Sequence, residues 1–309
     1  MIGGKMMVKK KWLGMVVMMS LTLILSSCSS IGVGEKRISV GGKNFTEQYI
    51  LSEMTAFLLE DEGFKVKQMN NLGSTVVRKA LENNQVDLMW EYTGTALITY
   101  MGQNPIADPD KTFEKVKDLD AKNNIHWMNM SKVNNTYALA MTKEKADELD
   151  IHSISDLGDY INAHPDELTI ASDAEFANRK DGLPGVEEKY GFDFGAQNIK
   201  QMDIGLTQRA LDKGQVDVSV AFETDATIRA YGLVTLEDDK QFFPPYRAAV
   251  SVNKEVLKKY PEVEEITGRL AEKLDSEIMR ELNYKVDIEG NSVSVVAYEW
   301  LVDNGMIEE

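Results

Sequence analysis

The 309-residue chain has few of the residue types on which catalytic and metal sites depend. It contains one cysteine, so no disulfide can form within it. Its three histidines, His126, His152 and His164, are scattered without the spacing of metal ligands. No P-loop, dinucleotide-binding glycine pattern, serine-nucleophile motif or zinc-protease motif occurs. We therefore expect neither a cofactor nor a metal, and no catalytic residues.

The N-terminus has the pattern of an export signal. Four lysines and no acid precede residue 12, and the apolar run of residues 12–25 is too short to span a membrane comfortably. It ends in Leu25-Ser26-Ser27-Cys28, which resembles the lipobox of bacterial lipoproteins, whose cysteine is acylated and becomes the N-terminus after cleavage. We predict a signal peptide over residues 1–27, a lipid anchor on Cys28 and a tether over residues 28–36. The alternative is an ordinary signal peptide beside an unrelated thiol.

Basic residues are also scarce. The whole chain has 34 lysines and arginines against 50 acids, a net charge of −16. Cleavage after residue 27 removes four lysines and leaves 30 basic residues, a net charge of −20. Such a balance argues against nucleic acid as a partner and favours solubility. About 270 residues follow the tether, enough for two lobes with substantial cores.

A helix–turn–strand pattern occurs twice. Residues 77–92 read VRKALENNQVDLMWEY and residues 207–222 read TQRALDKGQVDVSVAF, with five identities. Both strands end on an aromatic residue, Tyr92 in the first and Phe222 in the second. The repetition predicts two similar lobes that face each other across a cleft, each with an aromatic ring at the same strand end. Chance similarity of two common units is the alternative.

The order of elements predicts an α/β fold. Strands and helices alternate from residue 37 onward, which favours sheets with parallel strands and helices on both faces. Residues 136–142 are predicted to leave the first lobe and residues 231–235 to return to it. We expect lobe I to comprise residues 37–138 and 234–309 and lobe II residues 139–233, joined by two hinge crossings.

Four aromatic residues are candidates for a ligand site: Tyr92, Tyr137, Phe222 and Tyr246 each lie at a predicted strand end or lobe crossing. Taken alone, each is better explained as part of a hydrophobic core than as a ligand contact. Together they would suit a quaternary ammonium ion, which has no N–H and is recognised by ring faces. Each ring contributes roughly 0.5–2 kcal/mol, so four give roughly 2–8, whereas micromolar binding needs about 8 kcal/mol. A second anchor is therefore required.

Polar residues near glycine-rich turns are candidates for that anchor. Lys43 follows two glycines, Thr95 follows the first repeat, and Arg179 lies in a turn-rich loop. A lysine and an arginine that converge on a carboxylate make strong charge-assisted hydrogen bonds, although each residue alone is also an ordinary surface residue. Glu91 and Glu223 offer a glycosidase-like carboxylate pair, but they occupy different places in the two repeats.

Four motifs carry a resemblance to a known family. They are residues 42–48 (GKNFTEQ), 91–95 (EYTGT), 135–138 (NTYA) and 242–246 (FFPPY), in this order. From about residue 37 to the C-terminus the chain resembles the substrate-binding lipoproteins of osmoprotectant ABC importers for glycine betaine, carnitine and choline. The resemblance implies a type II periplasmic-binding-protein fold with two α/β lobes and a two-strand hinge.

The resemblance also implies roles for single residues. Tyr92, Tyr137 and Tyr246 match cage tyrosines around a trimethylammonium group, and Phe222 stands where the family commonly has a fourth. Lys43, Thr95 and Arg179 match positions that hold the ligand carboxylate in some members, although the position of Lys43 varies in the family.

The expected function is that of a non-enzymatic receptor on the extracytoplasmic face of the cell membrane. It would capture a betaine, close its cleft, and dock on an ABC permease served by a cytoplasmic ATPase. Because Lys43 would remain an uncompensated cation beside choline, we expect carboxylated betaines to be preferred over choline. A lipoprotein receptor for another polar solute, such as an amino acid, is the alternative, and an enzyme acting on a small polar substrate is a weaker one.

Overall fold

The computed structural model describes residues 35–308. The predicted signal peptide, Cys28 and most of the tether lie outside the described residues. The chain divides into two units, Met1–Arg37 and Ile38–Glu309, and the architecture below is that of the second. No helix within residues 35–308 combines the length and apolarity needed to cross a membrane.

Two five-stranded sheets organise the described residues. The strands are β1 (Lys36–Lys43), β2 (Phe64–Leu72), β3 (Leu88–Tyr92), β4 (Ile125–Asn134), β5 (Tyr137–Thr142), β6 (Ile170–Ser172), β7 (Ile199–Gln201), β8 (Val218–Phe222), β9 (Leu233–Thr235) and β10 (Arg247–Asn253). The first sheet has the order β2-β1-β3-β10-β4 and the second the order β7-β6-β8-β5-β9.

Helices connect and cover these strands. They are α1 (Thr46–Asp61), α2 (Ser74–Glu82), α3 (Thr93–Thr95), α4 (Pro109–Asp120), α5 (Lys143–Leu149), α6 (Ile154–Ala163), α7 (Leu183–Tyr190), α8 (Ile204–Asp212), α9 (Thr227–Ala230), α10 (Lys254–Lys259), α11 (Glu262–Lys273), α12 (Ser276–Asp287) and α13 (Val293–Asp303). A π-helical turn, Ala96–Tyr100, continues α3, and short 3₁₀ turns cover Ala121–Asn123 and Ala196–Asn198.

The first helix is enclosed on more than one side. It packs against β2 and β3 and against α11, α12 and α13. Its buried residues therefore include polar ones, among them Glu47, Gln48 and Thr55. A helix that is covered all round lacks the clear polar face of a surface helix.

The two repeat units occupy the same place in the two sheets. Strand β3 is third in its sheet, parallel to β1 and antiparallel to β10, and β8 is third in its sheet, parallel to β6 and antiparallel to β5. Each strand is preceded by its helix, α2 or α8, and by a turn with a left-handed residue, Asn84 (φ 56°) or Gly214 (φ 65°). The predicted common architecture of the two units is confirmed.

The aspartate of each Gln-Val-Asp segment ties its strand to the parallel neighbour. Asp87 accepts hydrogen bonds from the backbone N–H of Ser39 at 2.6 Å and from its hydroxyl at 2.8 Å. Asp217 accepts the same pair of bonds from Thr169, at 2.7 and 2.8 Å. The shared aspartate therefore fixes the start of β3 against β1 and of β8 against β6.

The chain passes between the sheets twice. It leaves the first sheet after β4 and enters the second at β5, and it returns between β9 and β10. The two passages are hydrogen-bonded to each other: the N–H of Asn135 donates to the carbonyl of Tyr246 at 3.0 Å, and the N–H of Tyr246 to Oδ1 of Asn134 at 2.8 Å. Strand β9 (Leu233–Thr235) pairs with β5 and so belongs to the second sheet. The passage back to the first sheet therefore begins after Thr235, later than the predicted residues 231–235. The predicted α/β fold with two joined sheets is confirmed.

The central strands are buried throughout. All five residues of β3 and all five of β8 are buried, including the polar Glu91 and Ser219, which is why both strands are mostly apolar and have no polar face. Burial on both faces places the last residue of each strand, Tyr92 and Phe222, inside the molecule.

Candidate functional site

One cavity brings all seven predicted ligand-binding residues together. Its walls include Lys43, Tyr92, Thr95, Tyr137, Arg179, Phe222 and Tyr246, together with Asn44, Phe45, Ser74, Asn135, Asp173, Glu175 and Ile204. The cavity measures about 30 Å³, more than the ~10–15 Å³ that a single water molecule needs on this measure but small for a site lined by fourteen residues. The walls therefore lie close together.

Strand ends explain why these residues meet. Lys43 is the last residue of β1, Tyr92 the last of β3 and Phe222 the last of β8. Tyr137 begins the antiparallel strand β5 and lies directly opposite Phe222. Carboxyl ends of parallel strands collect at one edge of a sheet, where α/β proteins commonly bind ligands.

The aromatic residues form a continuous cluster. The ring of Tyr137 lies 5.0 Å from that of Phe222 and 5.4 Å from that of Tyr246, measured between centroids. Phe45 stacks on Phe222 at 5.3 Å and on Tyr92 at 6.2 Å. These separations are those of favourable aromatic pairs, so Phe45 links Tyr92 to the other three rings.

Hydrogen bonds fix Tyr92 in place. Its hydroxyl donates to Oε1 of Glu47 at 2.6 Å and accepts from Nε2 of Gln48 at 3.0 Å. Burial and the adjacent Glu47 raise the pKa of Tyr92 well above its ordinary value, so the phenol remains a donor.

Tyr246 is fixed by a different partner. Its hydroxyl donates to Oδ2 of Asp181 at 2.7 Å, and burial raises the pKa of the phenol well above its usual range. The ring packs on the backbone of Gly94, where a Cβ atom would lie 2.7 Å from a ring carbon. Only glycine at position 94 leaves room for this ring.

Lys43 is buried in an ion pair. Its Nζ lies 2.5 Å from Oε1 of Glu91, and the two side chains are only 3% and 1% exposed. Oε2 of Glu91 accepts a hydrogen bond from the hydroxyl of Tyr100 at 2.8 Å. Nζ of Lys43 also lies 4.9 Å from the centre of the Tyr92 ring. The expectation that Lys43 stands uncompensated is therefore wrong, because Glu91 neutralises it.

Arg179 has partners from both sheets. Its Nη2 lies 2.5 Å from Oδ2 of Asp181 and 3.4 Å from Oγ1 of Thr95, and its Nη1 lies 3.7 Å from Oε2 of Glu175. The guanidinium carbon is 5.7 Å from the centre of the Tyr137 ring. The predicted pair of Arg179 and Thr95 is thus brought together, with two carboxylates beside it.

The carboxylates considered for a glycosidase do not form a pair. Glu91 is buried against Lys43, whereas Glu223 is exposed and lies 3.9 Å from Arg280. Glu223 lines a different groove, beside α12. The carboxylate pair required by a glycosidase mechanism is therefore not assembled from these two residues.

Several wall residues were not predicted. Phe45 and Asn135 belong to the motifs at residues 42–48 and 135–138. Their closeness in sequence to Lys43 and Tyr137 could have indicated that they line the site. Asp173 and Glu175 follow β6 just as Asn44 and Phe45 follow β1, but no spacing in the sequence marks them as part of a site.

Two α/β sheets joined by two passages, with rings and charges from both sheets around one cavity, define a solute-binding protein. Residues 36–303 match the family model described as the substrate-binding domain of the ABC-type glycine betaine transport system (OpuAC). The chain belongs to this family, as its motifs predicted. The family is a class of transport substrate-binding proteins, which is not an enzyme class.

Curated relatives cover nearly the whole chain. It is 38% identical over 296 residues to a glycine-betaine-binding protein of Pseudomonas aeruginosa, covering 94% of this chain and 95% of the relative. It is 36% identical over 310 residues to the carnitine transport binding protein OpuCC of Listeria monocytogenes, covering 97% and 99%. A solved structure described as a glycine betaine/carnitine/choline ABC transporter matches with a TM-score of 0.69 and 33% identity, covering 88% of this chain and all of that one.

Proposed function

We propose that this protein captures a betaine that carries both a quaternary ammonium and a carboxylate, and delivers it to an ABC permease driven by a cytoplasmic ATPase. The observation that carries the proposal is the single cavity whose wall includes all seven predicted residues. Glycine betaine and carnitine, named for the two relatives above, have this chemistry.

The rings supply sites for a cation without N–H groups. Two of them already have a cationic group near their faces: Nζ of Lys43 lies 4.9 Å from the centre of the Tyr92 ring, and the guanidinium carbon of Arg179 lies 5.7 Å from that of the Tyr137 ring. Both distances are within the range of cation–π attraction, worth roughly 0.5–2 kcal/mol for each ring. A trimethylammonium group would use the same electrostatic property of the cluster.

Arg179 and Thr95 are proposed to hold the ligand carboxylate. The longer of the guanidinium's two carboxylate contacts, 3.7 Å to Glu175, is the one most readily exchanged for a ligand oxygen. Thr95 follows β3 and Arg179 follows β6, so a bound carboxylate would join the two sheets. A ligand that contacts both sheets favours the closed arrangement by its differential affinity for it.

The composition of the cavity wall favours a movement of the lobes. Residues that follow strands of both sheets line one space of about 30 Å³, so a ligand held there would contact both lobes. We infer that the two lobes, 37–138 with 234–309 and 139–233, separate to admit the ligand and close on it.

The proposed preference for carboxylated betaines over choline now rests on Arg179 and Thr95. Because Glu91 neutralises Lys43, bound choline would not leave Lys43 as an unpaired cation. The preference for carboxylated betaines over choline should therefore be smaller than if Lys43 and Arg179 were both unpaired.

Calorimetric titration with glycine betaine, carnitine, choline and proline tests both the proposed function and the proposed preference. We expect tighter binding of the two carboxylated betaines than of choline. Equal Kd values for choline and glycine betaine would contradict the preference, and tight binding of proline alone would contradict the function.

A variant of Tyr246 tests the cage directly. Tyr246→Ala should weaken glycine betaine binding at least roughly tenfold, since it removes a ring and the partner of Asp181. Tyr284→Ala, at an exposed tyrosine on α12, is the control and should leave the Kd unchanged. Unaltered binding by a folded Tyr246→Ala variant would contradict the cage.

We also propose, from the sequence, that Cys28 anchors the mature protein by lipid on the extracytoplasmic face, and that the ligand is released chemically unchanged. Metabolic labelling with palmitate should mark the wild type and not Cys28→Ser. Label on both would contradict the anchor. Recovery of a modified betaine after incubation would contradict a purely binding role.

A further inference from the structure

Glu47 is a buried acid whose two oxygens have different surroundings. The side chain lies in the first turn of α1 and is 2% exposed. Oε1 accepts from the hydroxyl of Tyr92 at 2.6 Å and from Nδ2 of Asn135 at 3.1 Å. Oε2 is buried and has no hydrogen-bond partner. A buried carboxyl oxygen without a donor is costly and requires an explanation.

A second unpartnered oxygen belongs to a neighbouring side chain. Asn283, on α12, adjoins the Glu47 carboxyl and is 2% exposed, and its Oδ1 also has no partner. Its Nδ2 donates to the backbone carbonyl of Thr224 at 3.0 Å. The Thr224 carbonyl can only accept a hydrogen bond. If the Asn283 amide were rotated by half a turn, its oxygen would face this carbonyl, and two acceptors would meet. The orientation of Asn283 is therefore fixed, and the oxygen is the atom left over.

Both leftover atoms are acceptors, and one proton between them satisfies both. An ionised carboxylate can only accept, whereas a carboxylic acid has one O–H donor. We propose that Glu47 is a neutral carboxylic acid in the folded protein, with Oε2–H donating to Oδ1 of Asn283, and that this acid positions the ring of Tyr92. The proton supplies the one donor that this pair of buried acceptors lacks.

The charges around Glu47 favour this state. Burial raises the pKa of Glu47 above its ordinary value and outweighs its hydrogen-bonding neighbours, Tyr92 foremost, which act to lower it; no basic side chain is among the groups that shift it. Burial also raises the pKa of Asp225 to about 7, with contributions from Asp287 and Glu47. Tyr92, from β3, is the other titratable group in contact, and it is a donor. An ionised Glu47 would therefore add negative charge to an acidic environment.

The basic groups nearby are committed elsewhere or exposed. Lys43, which approaches the same Tyr92 ring, is paired with Glu91. Arg209 lines the cavity of about 160 Å³ beside Glu47 but is an exposed residue. Neither residue forms an ion pair with Glu47 among the bridges within residues 35–308.

The neutral acid joins segments from both sheets. Through Tyr92 it holds the end of β3, and through Asn135 it reaches the passage between the sheets. Asn135 also donates to Oγ1 of Thr224, just after β8, at 2.7 Å. Ionisation would remove the donor from Oε2 and place two acceptors together. The inference about Tyr92 as a ligand contact rests on the proposed function, whereas the protonation of Glu47 does not.

Infrared difference spectroscopy tests the proton directly. The spectrum of the wild type minus that of Glu47→Gln, at about pH 7, should contain the carbonyl band of a protonated carboxyl. The matched control is Glu299→Gln, an exposed residue of α13, and its difference spectrum should lack that band. The same spectrum for both variants would overturn the proposal. This readout needs no ligand, so it stands even if betaine binding fails.

The pH dependence of stability provides a second test. A carboxyl whose folded pKa lies above its unfolded pKa makes the folded state less stable as pH rises between the two values. Glutamine keeps an N–H donor and an acceptor at this place without the proton. The melting temperature of Glu47→Gln relative to the wild type should therefore rise steadily from about pH 5 to about pH 8. A difference that is constant or falls over this range would contradict a neutral Glu47.

Ligand affinity tests the positioning of Tyr92. Glu47→Ala should weaken glycine betaine binding at least roughly tenfold, or about 1.4 kcal/mol. Glu47→Gln should recover most of that loss, because the amide oxygen still accepts from Tyr92. A folded Glu47→Ala variant with the wild-type Kd would overturn the positioning role. If the wild type itself binds no betaine, the proposed function fails while the spectroscopic result still decides the protonation.

Discussion

The two helix–turn–strand units share a backbone and differ in chemistry at the strand end. Both keep the aspartate that bonds the parallel neighbour. The first unit then places Glu91 before its terminal ring, buried against Lys43, whereas the second has Ala221 at that position. The helix, the turn and the aspartate are thus common to both units, whereas the last two residues differ.

The terminal rings are held by different forces. Tyr92 has hydrogen bonds to Glu47 and Gln48 in addition to its ring contacts. The side chain of Phe222 has no polar atom and makes ring contacts, with Phe45 at 5.3 Å and Tyr137 at 5.0 Å. Hydrogen bonds orient a ring, while stacking leaves it freer to adjust. The ring that ends the first unit is thus oriented by polar contacts, and the ring that ends the second by apolar contacts alone.

The neighbouring strands extend the contrast. Val40 of β1 pairs with Leu88 of β3, and Ile170 of β6 pairs with Val218 of β8, which is the same register in both units. Three residues further on, β1 ends in Lys43 and β6 is followed by Asp173, and both residues line the cavity. Corresponding positions therefore carry a lysine in one half of the wall and an aspartate in the other, and the lysine is paired within its own half by Glu91.

The largest expected effect comes from making the first unit resemble the second. Glu91→Ala leaves Lys43 buried without its carboxylate, and removing one member of a buried pair costs about 3–5 kcal/mol. The double variant Lys43→Met with Glu91→Ala should recover much of this loss, because the uncompensated charge is gone. Urea denaturation measures both. Glu223→Ala, at an exposed glutamate, is the control. A Glu91→Ala variant as stable as the control would mean that Lys43 escapes to solvent.

The next largest effect should separate the two rings. Tyr92→Ala removes a ring worth roughly 0.5–2 kcal/mol and leaves Glu47 and Gln48 without the hydroxyl, at a further cost of about 1–3 kcal/mol. Phe222→Ala removes only the ring. Calorimetric titration with glycine betaine should therefore show the greater loss for Tyr92→Ala. A greater loss of affinity for Phe222→Ala would mean that the hydrogen bonds of Tyr92 do not make it the more important of the two rings.

The shared aspartates should behave alike. Asp87→Ala and Asp217→Ala should each lower the free energy of unfolding by about 1–3 kcal/mol, since each removes the same pair of hydrogen bonds; the Lys145 contact that Asp217 has in addition is partly exposed and adds little. Gln85→Ala and Gln215→Ala, at exposed neighbours, should stay within about 0.5 kcal/mol of the wild type. If only one aspartate matters, the two units are not equivalent in their folding.

Asp217 should also respond to pH. Although burial acts to raise it, hydrogen bonds from Lys145 and Thr169 lower the pKa of Asp217 below its ordinary value. A lowered folded pKa gives stability that is present above the unfolded pKa and is lost as pH falls through the folded pKa. The cost of Asp217→Ala should therefore shrink in acid. Unfolding measured at about pH 7 and about pH 3 checks this, and an equal cost at both would contradict it.

Sequence reasoning found the parts of the site that depend on strand ends. Tyr92 and Phe222 could be predicted because a buried strand leaves a clear apolar pattern and its end is marked by the repeat. The buried ion pair beside Tyr92 could not be predicted from the sequence. Lys43 and Glu91 are separated by 48 positions, and each looks like a surface charge until the fold buries both. Strand β4 was missed because its ten residues mix polar and apolar types without regular alternation.

The smallest effect should come from giving the second unit a tyrosine. Phe222→Tyr restores the residue expected from the family resemblance and adds a hydroxyl to a ring that is already held by Phe45 and Tyr137. Since the ring face is unchanged, the Kd for glycine betaine should move by less than about fivefold, or about 1 kcal/mol. The converse variant, Tyr92→Phe, should cost more, because Glu47 loses its donor. Titration of both variants, followed by the fluorescence of buried Trp90, compares them. If Phe222→Tyr binds glycine betaine more than about tenfold more tightly than the wild type, the ring at position 222 also depends on a hydroxyl. The phenylalanine at this position would then limit the affinity.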